Sequence, residues 1–226
     1  QLIVVFPFEK TWYKQRNLDV QYFGHPLIDL YKKQTSQKAK TFSLVVSLFP
    51  GSRKQEIKYH VPLLLKVIRS ILKTNPSVQF IVCLAPSVGE DEIKQLTQLN
   101  NVKIKPGCSW DVFNASSAAI VASGTATLEC AISKTPFVVI YKTSLFNWLV
   151  ANFILSVPFV SIVNILAKKL VVKEFLQYQA LPEKIAKQTL KLLQRPEKTA
   201  EELSSVVNNL GGGHAYEQAA EYIGNY

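Results

Sequence analysis

A chain of 226 residues, 48% hydrophobic and 11% aromatic, can bury a sizeable core, and with 19% charged residues it is not a disordered segment. Twenty-six Lys and Arg against 16 Asp and Glu leave a net charge of +10, which favours polyanionic partners: nucleic acid, an acidic membrane leaflet or phosphorylated small molecules. Cys83, Cys108 and Cys130 match no metal-ligand spacing and read as reduced, structural thiols of a cytosolic compartment.

In chain order, "LIVVF" (2–6) reads as a strand met in its middle. With no Met anywhere, the expectation is an excised piece of a longer protein. A second strand-like run at 20–24 leads into "FGHP", which places His25 and Pro26 at a hinge. The polar, basic "YKKQTSQKAKT" (31–41) breaks all apolar period and marks a boundary. Residues 1–37 are therefore read as the tail of a preceding domain and its hinge, and 38–209 as the main unit. Residues 210–226, opening on "LGGGHA", read as a flexible joint and terminal helix.

Within the main unit, strands are expected at 42–50, 78–86, 102–105, 118–123 and 136–141, several of them continuous apolar runs of the kind buried on both faces of a parallel sheet. Helix periodicity alternates with them. Residues 61–73 put Val61, Leu64, Leu65, Ile68, Ile71 and Leu72 on one stripe, with Pro62 fitting a first turn. Further helices are expected at 90–98, 125–133, 182–194, 197–209 and 214–223. Such alternation implies an α/β fold with a doubly wound parallel sheet and right-handed crossovers.

From Thr143 to Ala167 no charged residue appears. Pro158 and five interspersed Asn and Ser residues argue against one membrane span, so a helix over 144–156 followed by a strand-like "FVSIVN" (159–164) is expected. Phe146, Trp148 and Phe153, with Lys168 and Lys169 beyond, have the aromatic-plus-cation character of a membrane or lipid contact. A buried helix explains the same residues equally well.

In a parallel sheet all strand-to-helix loops share one edge, where ligands bind. "PGSRKQE" (50–56) brings Gly51, Ser52 and Arg53 to that edge, and a guanidinium there offers a bidentate fork for phosphate oxygens. "SGTATLE" (123–129) follows with Ser123, Gly124, Thr125 and Thr127 at a helix start, an anion-binding combination that also describes plain N-capping. Glu129, one turn in, can cap the helix or accept from sugar hydroxyls. "EDE" (90–92) is ordinary dipole matching, and the three histidines lack ligand spacing, so no metal site is expected.

The words "FPFEKTWY", "YFGHPLID", "LFPGSRKQEI", "ASGTATLECAISKTPFVVIYK", "PFVSIVNILAKKLVVKEFLQ" and "EQAA", in this order, resemble the lipid-A-disaccharide synthases over nearly the whole chain. The resemblance implies the carboxyl-terminal, Rossmann-like lobe of a two-lobed GT-B glycosyltransferase. It implies transfer of 2,3-diacylglucosamine from UDP to 2,3-diacylglucosamine 1-phosphate, with inversion, at the cytoplasmic face of the inner membrane and without a cofactor. A homodimer is left open and nucleic acid is not an expected partner, since the Lys residues scatter along the chain. The implied donor-binding set is Gly51, Ser52, Arg53, Ser123, Gly124, Thr125, Glu129, Asn164 and Gln177. The family's catalytic acid lies in the amino-terminal lobe, so this chain is expected to bind donor without turnover. Val163 and Lys173 stand where the pattern often has Pro. Alternatives are another UDP-sugar enzyme of this fold, of 2-epimerase or muramyl-pentapeptide transferase type, or a non-enzymatic basic membrane-docking module.

Overall fold

The computed structural model describes residues 2–34, 44–107, 109–144 and 159–224. Six strands form the main sheet: β3 (Val45–Phe49), β4 (Gln79–Leu84), β5 (Val102–Pro106), β6 (Ala118–Ala122), β7 (Phe137–Tyr141) and β8 (Glu174–Leu176). Every pairing is parallel, and the order across the sheet is β5-β4-β3-β6-β7-β8. The chain winds outward from β3 in one direction, returns, and winds outward from β6 in the other, so the switch point lies between β3 and β6.

Alternation along each strand divides the core into two layers. On one face Val46, Leu48, Phe80, Val82, Ile120 and Val138 meet α3 (Lys54–Thr74), the short α4 (Lys94–Thr97) and α8 (Pro182–Gln194). On the other, Phe49, Val121, Phe137 and Val139 meet α5 (Ser109–Asn114), α6 (Thr125–Ile132), α7 (Ile162–Ala167) and α9 (Glu197–Asn208). Cys83 and Cys130 are buried, whereas Cys108 lies outside the described residues.

Two expectations are corrected. Helix α3 starts at Lys54, so Pro62 sits inside it and not in its first turn. Pro62 is exposed, which leaves the carbonyl it deprives of a partner on the solvent side. The "FVSIVN" run is no strand: Ile162–Ala167 is helical. Glu174 causes this, accepting the N–H groups of Val160 and Ser161 at 2.9 Å each and so holding the helix start. The strand place beside β7 goes to Glu174–Leu176, too short to show a period. The helix expected over 144–156 falls outside the described residues.

Ahead of this unit, β1 (Leu2–Ile3) and β2 (Val20–Gln21) pair in parallel around α1 (Pro7–Lys14). Then α2 (Pro26–Gln34) packs onto the main unit, Ile28 joining Trp110, Leu128, Ile132 and Leu210. Two chain segments cross at this junction. Gly24 (φ +105°) and Gly211 (φ +92°) pass so closely that a Cβ on Gly211 would stand 3.1 Å from the Gly24 Cα. The His25 N–H donates to the Leu210 carbonyl at 3.0 Å. The closing helix α10 (Ala215–Gly224) is fastened to α2 by Asp29, which accepts the N–H groups of His214 (2.5 Å) and Tyr216 (3.2 Å).

Candidate functional site

At the carboxyl ends of β3 and β6 a cleft of about 380 Å³ opens on the switch point. Its floor is Phe49, Cys83 and Ala122, and its walls are the two loops that the motifs singled out. Gly51, Ser52, Arg53, Ser123, Gly124, Thr125 and Glu129 all line it, brought together from opposite sheet layers.

The first wall is shaped by Glu56, in the first turn of α3. Its carboxylate accepts the Ser52 N–H at 3.3 Å and lies 3.4 Å from the Arg53 guanidinium. Gly51 has φ +112°, and a Cβ there would stand 2.4 Å from Glu56 Oε2, so neither backbone nor space tolerates a side chain. Ser87 Oγ, from the loop after β4, donates to the Ser52 carbonyl at 2.8 Å and braces the turn from outside. Arg53 is 81% exposed, so its pairing with Glu56 is weak and its guanidinium stands free to meet an anion in the cleft.

Behind this wall His60 is fully buried. Its Nε2 accepts the Lys142 N–H at 2.9 Å, which fixes the proton on Nδ1, and Nδ1 donates to the Pro50 carbonyl at 2.7 Å. Desolvation lowers its pKa from 6.5, only partly opposed by the Pro50 carbonyl and Glu56, while Lys142 lowers it further.

The second wall is the start of α6. Among the described residues no side chain caps it, and a Cβ on Gly124 would meet nothing within 4 Å; the Thr127 N–H bonds back to the Gly124 carbonyl at 3.1 Å, which leaves those of Thr125 and Ala126 without a described partner. Thr125 is exposed. Thr127, expected among the hydroxyl donors, is instead buried and donates to the Gly124 carbonyl at 2.7 Å. Glu129 is half-buried one turn beyond Thr125, and its carboxylate accepts no hydrogen bond among the described residues.

The remaining expected site residues stand apart. Asn164 does not line the cleft: it is fully buried, its amide donating to the Val172 carbonyl and to Glu174 (2.8 Å each), its oxygen accepting from Val171 and Val172 (2.8 and 3.0 Å). Through Glu174 and Val160, whose carbonyl accepts from Ser123 Oγ at 3.3 Å, this network backs the second wall. Gln177 follows β8 at φ +47°, accepts the Thr143 N–H at 3.3 Å, and has no partner for its buried Nε2 among the described residues. His25 is buried against the Phe6 ring (5.0 Å), and desolvation lowers its pKa against the pull of Glu9; Pro26 opens α2. Lys168 ends α7 at φ +52°, and Lys169 pairs with Glu202 at 3.8 Å, both on the layer opposite α3. Phe146, Trp148 and Phe153 lie outside the described residues, among which no helix is long and apolar enough to cross a membrane.

Motif reading missed Glu56 and His60. Glu56 carried a signal, an acid three residues after Arg53 where it can fold back on a helix start. His60 carried one too, a polar ring on the stripe Ile57, Val61, Leu64 and Ile68.

A six-stranded parallel sheet with a cleft at its switch point is the Rossmann-like arrangement of one lobe of GT-B proteins. Two solved UDP-N-acetylglucosamine 2-epimerases share the fold. That from Listeria monocytogenes, described as putative, has a TM-score of 0.67 at 15% identity over 98% of this chain and 58% of its own. That from Neisseria meningitidis, bound to UDP-GlcNAc, has 0.66 at 17% over 99% and 61%. The particular family follows from sequence: the chain belongs to the lipid-A-disaccharide synthetases, whose profile matches residues 1–221. It is 37% identical to the lipid-A-disaccharide synthase of Syntrophus aciditrophicus over 97% of this chain and 61% of that protein. The Legionella pneumophila lipid-A-disaccharide synthase 1 is 35% identical over 79% and 49%. The chain thus spans about half to three-fifths of these relatives.

Proposed function

We propose that this chain is the donor-binding part of an enzyme that condenses UDP-2,3-diacylglucosamine with 2,3-diacylglucosamine 1-phosphate, giving the β-1,6 disaccharide and UDP. The observation that carries the reading is the convergence of the Gly51–Arg53 turn and the uncapped start of α6 on one cleft at the switch point. Backbone N–H groups and a helix dipole suit a diphosphate, and Arg53 adds a bidentate fork. These groups meet charge that grows on the departing UDP, which is stabilisation of the leaving group without a metal. Glu129, whose carboxylate meets no hydrogen-bond donor among the described residues, accepts from the ribose hydroxyls. Gln177, at the same sheet edge and with an amide nitrogen that no described residue engages, donates to the sugar. Asn164 acts at one remove, by holding the Ser123 wall.

The acceptor hydroxyl needs a base, and none of these residues is placed as one. The base belongs to the amino-terminal lobe, with His25 and Pro26 at the hinge between lobes. Both substrates carry acyl chains, so the reaction is read as taking place on the inner face of the inner membrane. An epimerase shares the fold at 15–17% identity, while sequence kinship at 35–37% supports the synthase.

Titration of the chain with UDP in a calorimeter at low salt tests this. Saturable binding is expected, weakened about 10- to 100-fold by Arg53→Ala, as for loss of a charge-assisted hydrogen-bond pair, and indifferent to EDTA. Absence of binding to the unsubstituted chain overturns the reading.

A further inference from the structure

The surplus of positive charge is not spread evenly over the fold. Outside the cleft, the exposed faces of α3 and α8 carry Lys58, Lys66, Arg69, Lys73, Lys184, Lys187 and Lys191, with Glu183 as the one exposed acid among them. Glu56 is turned into the cleft, and Lys54 is occupied by Glu92 at 3.6 Å. None of those seven cations forms an ion pair with a described residue. On the opposite layer α9 has the reverse balance, Glu197, Glu201 and Glu202 against Lys198. The sequence hides this polarity, because the lysines of the two helices are more than a hundred residues apart.

Between α3 and the start of α8 runs a groove of about 380 Å³ lined by Lys58, Lys66 and Lys142 together with Tyr59, Pro62, Leu63 and Leu181. Within that lining Leu181 is 43% exposed, and Tyr178, two residues ahead of Ala180, is 78% exposed. Cations above an apolar floor, with an amphipathic ring alongside, match a lipid phosphate above the first carbons of its chain. Nucleic acid asks for a run of stacking platforms along a basic groove, and this groove has one ring, Tyr59, among aliphatic side chains. From Thr143, directly after the Lys142 rim, the chain continues without a charge to Ala167.

We infer that the α3–α8 face is the surface by which this protein lies on an anionic phospholipid bilayer, with headgroup phosphates seated among Lys58, Lys66 and Lys142. The inference rests on the membrane part of the proposed function and moves the contact away from Lys168 and Lys169. It also sets the donor cleft beside the bilayer, since Lys58 lies little more than one helical turn beyond Arg53.

Co-sedimentation of the chain with vesicles tests it. Vesicles of mixed phosphatidylglycerol and phosphatidylcholine should bind, and phosphatidylcholine alone should not. Replacing Lys58, Lys66, Arg69, Lys187 and Lys191 together by Gln should weaken binding at least about 100-fold, given that each near-surface cation contributes several-fold. A variant equal in charge, with Lys10, Lys14, Lys103, Lys134 and Lys198 replaced by Gln, should lose no more than a few-fold. Equal loss in the two variants overturns the face while leaving membrane association standing. Failure of the unsubstituted chain to bind anionic vesicles, or displacement of vesicles by single-stranded RNA at matched phosphate, overturns the membrane reading itself. UDP titration of both variants, without vesicles, reports the donor site separately and shows that they are folded.

Discussion

The buried imidazole of His60 donates to the carbonyl of Pro50 at 2.7 Å, and so ties the middle of α3 to the residue from which the cleft's first wall springs. Its other nitrogen accepts from the Lys142 N–H at the end of β7, so the ring is satisfied only when neutral. Burial lowers its folded pKa below the ordinary 6.5, and His25 is shifted in the same direction. A proton therefore binds the unfolded chain more readily than the fold. The contribution is complete above about pH 6.5 and is lost as pH falls below it, at up to about 1.4 kcal/mol per pH unit for each group. Denaturant melts across this range should show that slope, and His60→Gln should reduce it while lowering stability at neutral pH. An unchanged slope in the variant would show that the imidazole already carries a proton in the fold.

Gly51 makes the sharpest prediction at the cleft. At φ +112°, with Glu56 Oε2 where its Cβ would stand, Gly51→Ala meets both backbone strain and a collision. A destabilisation of about 1–3 kcal/mol is expected from the backbone alone. UDP affinity should fall by at least about tenfold, because the turn must open to make room. Pairing it with Glu56→Ala removes the collision with the carboxylate and leaves the strain and a tight 3.0 Å approach to the residue-56 Cβ, so part of the stability should return. No recovery in the double variant would mean that Glu56 does not fill that space.

Asn164 serves four hydrogen bonds from a fully buried position, and Leu, which branches in the same way but is bulkier, serves none. Asn164→Leu strands the Val171 and Val172 N–H groups and should cost on the order of 2–4 kcal/mol. Thermal unfolding should fall by roughly 5–15 °C for a chain of this size. N164D keeps the acceptor but sets a carboxylate 2.8 Å from Glu174. Ionisation of that pair is disfavoured in the fold, so this variant should be less stable at neutral pH than in acid, the reverse of the His60 slope.

The elements that the sequence made plain are those whose period is long or whose burial is two-sided. Phe137–Tyr141 is an unbroken run, and Val45–Phe49 is broken only by the buried Ser47, because helices cover both faces. The helix at Pro182–Gln194 has both a proline start and a clean stripe. Glu174–Leu176 was invisible because three residues carry no period, and with it went the reason for the Ile162–Ala167 helix, which depends on a carboxylate arriving from that strand. Seven of the nine expected donor residues line one cleft because both loops leave the same sheet edge, which topology alone requires. Asn164 shares a motif with the site but reaches it only through Glu174, Val160 and Ser123, and no spacing rule distinguishes a wall from its support.

Asp29 binds the two ends of the chain. It is buried on α2, and its two oxygens accept the His214 and Tyr216 N–H groups, satisfying donors at the start of α10 that have no partner within their own helix. Lys32 adds a hydrogen bond to the Gly212 carbonyl from the next turn of α2. Asp29→Ala removes the cap and leaves the packing of Ile28 untouched, so its effect should be local. Amide exchange across 215–219 should quicken by about 5- to 30-fold, the equivalent of about 1–2 kcal/mol, while the amides of β6 keep their protection. If the whole fold loosens together, α10 is an integral part of the main unit. If exchange in α10 does not change, Phe23 against Tyr222, with ring centroids 5.3 Å apart, holds the helix by itself.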